Sequence, residues 1–328
     1  MNLVVYGGFA GNALLSFFAV TGNVFIICSN MCRAWTITKE AKERKNLFLA
    51  GEIIITCITL ANLLLSLSGF TWIAIKTFEM HCQVGLTGYR GLTYALILGG
   101  SSSFWFTSCL CTFYLLKIVS IPNAAFNKLK QNVSTFVLVF LGGSFALCCI
   151  FSFPAVYAQN IHYINASTGP DNFTVQSCKI SAELSGVSFE FAMFNGFVLL
   201  VAPAGIMLLA CVGLVLYLCH HMHHMKRSRR SPEAPESSPS HSPALLAQTR
   251  ISKMIVCLVV VYLICDLILF FLLCGGYTSA NLQVVSFFGA LAMSAFAVGI
   301  ASLLTYGNAN LKKDLTFLFP CCLNSLTK

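Results

Sequence analysis

The chain has 328 residues, 57% of them hydrophobic and only 9% charged, with a formal net charge of +9. A water-soluble fold of this length could not hide so much apolar surface, so that class is excluded. The positive charge is no nucleic-acid footprint either, because no Lys/Arg cluster is interleaved with aromatics in a polar domain.

The apolar residues fall in blocks of roughly 20 or more, long enough to cross a bilayer core as helices. Strands would need shorter, alternating segments. Spans are expected near 9–31, 47–75, 86–118, 133–158, 187–219, 251–275 and 281–306. That makes an all-α membrane protein, a seven-transmembrane-helix bundle over 1–306. The opening MNLVVYGGFAGN carries no basic n-region and no cleavage site, so the first segment reads as a retained helix that directs insertion. The third span ends in FWFTSCLCTFYLLKI, Phe104–Ile118, where Lys117 marks a helix leaving lipid.

Between the fourth and fifth spans lies the longest outer loop, near 159–186. It holds two N-glycosylation sequons, Asn165-Ala-Ser and Asn172-Phe-Thr. Cys178 lies in the same loop and Cys82 in the first outer loop; a disulfide and two free thiols both fit. The third inner loop is basic, then rich in Ser and Pro, and 226–248 is expected to be disordered. Its flanking His220, His221, His223 and His224 read as a helix end at anionic lipid rather than a metal site. The tail, 307–328, begins with a short amphipathic helix near Asn308–Leu318. Cys321 and Cys322 follow, as palmitoylation candidates or ordinary thiols.

All Lys and Arg except Lys76, Arg90 and Lys179 lie on one set of connecting segments, including Arg33, Lys117, Lys253 and Lys312. That basic set is cytoplasmic by the positive-inside rule, which puts the N-terminus outside and the C-terminus inside. The expected location is the cell membrane.

No His-Glu-x-x-His, no phosphate loop and no Gly-x-Ser-x-Gly occurs, so no enzyme and no cofactor is indicated. Acids inside a span are costly and mark function or structure. Glu52 sits near the cytoplasmic start of the second span. Asp266 lies about 15 residues into the sixth, roughly 22 Å along its axis, in the outer half. Ligand contact and a hydrogen bond to a neighbouring helix both fit Asp266.

The third-span order W-F-x-x-C-L-x-x-x-Y-x-L-K-I, followed by Phe126, Leu129 and Lys130, resembles the bitter taste (type 2 taste) receptors. Further matches to that family are GNVFIICSN with Trp35; Thr56; Pro203, Leu208, Leu218, His221 and Met225; Lys253 with Tyr262; and Gly307, Asn308, Leu311 and Lys312. Several positions depart from it. Glu52 replaces an aspartate, Asn62 an arginine, and Ile300 and Ala301 a His-Ser pair, which suits a divergent, non-mammalian member.

The resemblance implies a receptor for small bitter-type agonists, coupled to a gustducin or other Gi-type heterotrimeric G protein. The ligand cavity is expected between outer helix ends, at Trp72, Leu96, Gly100, Ser103, Glu190, Asn195, Asp266, Phe270, Phe287 and Met293. Leu96 and Gly100 replace the family's ligand-holding tryptophan and asparagine, so that wall should be roomier and less polar. Tyr114, Lys117, His221, Lys253, Asn308 and Lys312 match family positions at the inner ends, where coupling is expected. A type 1 vomeronasal-like chemoreceptor is the first alternative, kept open by Asn62 and Ile300. A multipass transporter or channel would show an internal repeat or paired intramembrane charges, and neither is seen.

Overall fold

A computed structural model describes residues 2–36, 42–119, 124–154, 160–166, 175–181, 194–228, 243–278 and 282–318. In these segments seven helices are long and apolar enough to cross a membrane. They are α1 (Asn2–Thr36), α2 (Lys42–Thr77), α3 (His81–Ile118), α5 (Val133–Ser152), α6 (Ala202–Ser228), α7 (Pro243–Thr278) and α8 (Leu282–Gly307). Short α4 (Ala124–Gln131) follows α3, and α9 (Ala309–Leu318) follows α8.

Several helix ends differ from the hydropathy boundaries. α2 begins at Lys42 because Lys42–Asn46 extends the helix past the apolar block. α3 begins at His81, but Gly85 breaks its backbone at φ 69°, a left-handed value that glycine adopts without penalty. The expected start at 86 is thus the first residue after that break. α5 stops at Ser152, two residues before Pro154, rather than running to 158. Before α6, Phe197–Val201 forms a π turn that no hydropathy pattern announces. α6 reaches Ser228 and α7 resumes at Pro243, so both ends of the expected disordered stretch are helical. The rest of it, 229–242, lies outside the described residues. The long outer loop carries an antiparallel hairpin of β1 (Asn160–Ala166) and β2 (Val175–Ser181).

Helix α3 is the most enclosed and packs against α2, α5 and α6. α1 packs on α2 and α8, and α7 on α8. The interior is filled by Ile54, Leu65, Phe113, Met207, Leu214 and Tyr262, all essentially inaccessible. The outer surface is apolar as well, with Phe17, Val139, Leu209 and Phe271 exposed. A surface of that kind suits lipid, not water.

Two contacts set the helix spacing. A methyl group built on Gly99 would lie 2.8 Å from the Leu65 amide nitrogen, so only glycine lets α3 approach the α2 backbone there. Between α2 and α3, the Met80 amide donates to the Ile75 carbonyl at 3.0 Å, closing the end of α2 around Glu79 at φ 53°.

Gly99→Ala should therefore lower the thermal midpoint of purified receptor, at a cost of about 1–3 kcal/mol. Gly91→Ala, where an added methyl group meets nothing within 4 Å, should leave it unchanged. Equal midpoints for the two variants would contradict the close-approach reading.

Candidate functional site

At the centre of the bundle three rings meet edge to face. Phe104 of α3 lies 4.7 Å from Tyr262 of α7 and 4.9 Å from Phe296 of α8. None of the three is more than 2% exposed. Tyr262 also donates from Oη to the Leu200 carbonyl at 2.9 Å, inside the π turn. A π turn shifts the backbone ladder from its α pattern, and here one of its carbonyls accepts from a side chain.

Outward of this knot the expected ligand positions divide. Gly100 is buried against α8, and a methyl group added there would lie 2.6 Å from Met293 Cε. The expected extra room is absent, since Met293 fills the volume that the missing side chain leaves. Ser103 is fully buried and donates to Asn62 Oδ1 at 2.7 Å, so its hydroxyl ties α3 to α2. Leu96 packs toward Gly69 of α2 and Phe287 toward Gly8 of α1. Trp72 is half-buried, with the Lys76 ammonium 4.0 Å from its ring centroid. Asn195 and Asp266 each keep a buried Oδ1 without a hydrogen-bond partner among the described residues. Glu190 and the Phe270 side chain lie outside what is described.

Inward of the knot a charged cluster joins three helices. Arg33, near the end of α1, bonds Glu52 of α2 at 3.1 Å and Asp314 of α9 at 2.7 Å. Arg33 and Glu52 are 16% and 12% exposed, and Asp314 is 38% exposed. A cation between two carboxylates offsets their repulsion and docks α9 on the bundle. The sequence marks Arg33 only as a topology signal. Its partner Glu52, one helix away, was the available hint.

Asn308 has a defined structural task. Its Oδ1 accepts the Asn310 amide at 3.0 Å, capping α9 where α8 ends. Leu311, fully buried, seats the amphipathic helix, whereas Phe317 is 88% exposed. Tyr114 is also buried, its ring 5.4 Å from Phe113. Lys117 and Lys253 are exposed and Lys312 is partly so. His221 lies on α6, but its side chain is outside the description.

Another polar contact joins α1 and α8 in the core, where Ser294 donates to Asn12 Oδ1 at 2.6 Å. Of the modification candidates, Asn165 lies on β1 opposite Gln176, and Cys178 on β2 opposite Tyr163. The thiols of Cys82 and Cys178, together with Asn172, Cys321 and Cys322, lie outside the described side chains.

A family model described as taste receptor protein (TAS2R) matches residues 10–322. Taste receptor type 2 member 9 of Papio hamadryas is 30% identical over 136 residues, 41% of this chain and 41% of that relative. The Homo sapiens member 9 is 30% identical over 150 residues, with the same shares. Taste receptor type 2 member 114 of Rattus norvegicus is 27% identical over 206 residues, covering 62% of this chain and 60% of the rat protein. The chain thus aligns with about two-fifths of the length of the first of these curated relatives.

The clamp makes an unequal prediction. Arg33→Met strands the buried Glu52 and should cost roughly 2–3 kcal/mol of stability. Asp314→Asn removes only the more exposed partner and should cost under about 1 kcal/mol. Thermal midpoints of the two variants in detergent decide this, and a larger loss for Asp314→Asn would contradict it.

Proposed function

The chain belongs to the type 2 taste receptor family, and from that premise we propose that it is a G-protein-coupled receptor for small bitter-type molecules. The observation that carries the proposal is a family match running through all seven membrane helices and α9. Between the two chemoreceptor families weighed on sequence, that match favours the taste receptors.

The agonist enters from the outer ends of α3, α6, α7 and α8 and meets Trp72, Gly100, Asn195, Asp266 and Met293. Leu96 and Phe287 stand at its margins, and Glu190 and Phe270 are assigned to it by sequence position alone. Met293 suits such a wall. Its flexible thioether fills the Gly100 notch when the site is empty and can rotate away from a ligand. Ser103, held by Asn62, positions α3 rather than contacting ligand.

Binding favours a bundle whose inner face admits a gustducin or other Gi-type heterotrimeric G protein. Lys117 and Lys253 carry exposed charge on the coupling face with the partly exposed Lys312, and His221 is assigned there by its place on α6. Tyr114 and Asn308 act from beneath, by packing and by capping α9. Membrane lipid surrounds the receptor in the cell membrane, with the N-terminus extracellular. Asn165 and Asn172 are glycosylated on that side, where a Cys82–Cys178 bridge also has its oxidising environment. Cys321 and Cys322 are sites for palmitoyl anchoring.

Cells expressing the receptor with a gustducin-type G protein should answer at least one member of a broad bitter panel in a dose-dependent way. The response should vanish when the G protein is omitted. Silence across the panel, with receptor demonstrated at the surface, would count against the reading.

A further inference from the structure

Two of the unpaired acceptors in the outer half of the bundle, Asn195 and Asp266, flank the Tyr262–Leu200 bond in sequence on neighbouring segments. The Tyr262–Leu200 bond fixes the height of α7 against α6. Asp266 is four residues outward of Tyr262, about 6 Å along the axis. Asn195 is five residues outward of Leu200 on a chain running the opposite way, about 7 Å. The two residues therefore stand at nearly one level.

Their directions agree too. Cys265 points to α8, its Sγ 3.9 Å from the Ala292 carbonyl. Ile264, Leu267 and Phe271 are exposed and define the outer face of α7. Asp266 shares the flank of Tyr262, four residues earlier, which faces α6. Asn195, two residues before the π turn, also has its Oδ1 buried.

Each residue keeps its Oδ1 buried without a hydrogen-bond partner among the described residues. An unmet buried acceptor is costly, more so on a carboxylate. Two converging acceptors, one of them anionic, call for a cationic donor. A protonated amine supplies both the charge and the N–H groups.

We infer that Asp266 and Asn195 form a recognition site for a protonated amine on the agonist, between α6 and α7 and one turn outward of Tyr262. The inference rests on the receptor reading and deepens it by assigning a ligand class. The amine lies between the carboxylate and the amide oxygen, and its apolar remainder extends toward Met293 and Gly100.

The test uses the full receptor in cells with a gustducin-type G protein. The probes are arylalkyl tertiary amines, each paired with its uncharged carbon isostere. Wild-type receptor should answer the amines at concentrations at least about tenfold lower than the isosteres. Asp266→Asn should raise the amine EC50 by about 10- to 100-fold and shift that of neutral agonists by a factor about tenfold smaller. Should that variant fail to reach the surface, Asn195→Ala provides the same comparison with a smaller amine-selective shift.

Equal potency of amines and isosteres on wild type would overturn the inference, as would an equal shift of both classes in the variant. A receptor that answers other bitter compounds but no amine would overturn this assignment alone. Silence to every compound would overturn the receptor reading instead.

Discussion

Everything in this bundle is organised about the buried meeting of Phe104, Tyr262 and Phe296. Three helices contribute one ring each, and a fourth joins through the Leu200 carbonyl. Edge-to-face rings gain more than their buried area alone, because the positive ring edge meets a negative face. Position matters more than the energy. Apolar packing between lipid-bathed helices is weakly directional, and a hydrogen bond to a π-turn carbonyl supplies a register that packing would not.

That register divides the molecule. Outward, several polar groups lack partners among the described residues, Asn195 just before the π turn and Asp266 on α7 among them, and Met293 fills the notch at Gly100. Inward, a set of polar contacts fixes the helix ends. Arg33 holds Glu52 and Asp314, Asn308 caps α9, and Leu311 is sealed beneath it. The inner half thus carries the charged clamp, while the outer half keeps the Oδ1 atoms of Asn195 and Asp266 unmet among the described residues. Such a division suits a receptor that takes its ligand from outside, because an unpaired acceptor costs free energy that only an arriving donor recovers. Gly99 belongs to this plan as well, since the close approach of α2 and α3 brings Asn62 within reach of Ser103.

The seven spans were legible because hydropathy over 20 residues is a bulk property. So were the shared positions of Arg33, Glu52 and α9, since the charge rule put all of them on one side. Features depending on a single backbone choice were less visible. The π turn at Phe197–Val201 has the composition of any apolar helix. The outer hairpin alternates only in part, as in Ile161 and Tyr163, and sequons at Asn165 and Asn172 make it read as an ordinary loop. Pro154 did announce the end of α5, and the apolar block alone overran it. At the site, Asp266 stood out because a carboxylate in a span is rare. Met293 could not be seen filling the Gly100 notch, because its contact crosses from α3 to α8, and no local pattern records which side chain fills a gap on another helix.

On the proposed function, the Tyr262–Leu200 bond links the outer half, assigned to the ligand, to the inner half, assigned to the G protein. Tyr262→Phe tests it most directly, because it deletes one hydroxyl and keeps the ring in the knot. G-protein output of this variant should be measured against wild type at matched surface density, with and without an agonist found by panel screening. The account predicts near-normal surface density with basal output or agonist EC50 shifted by about 2- to 10-fold, as expected for one hydrogen bond. Unchanged basal output and EC50 would contradict it.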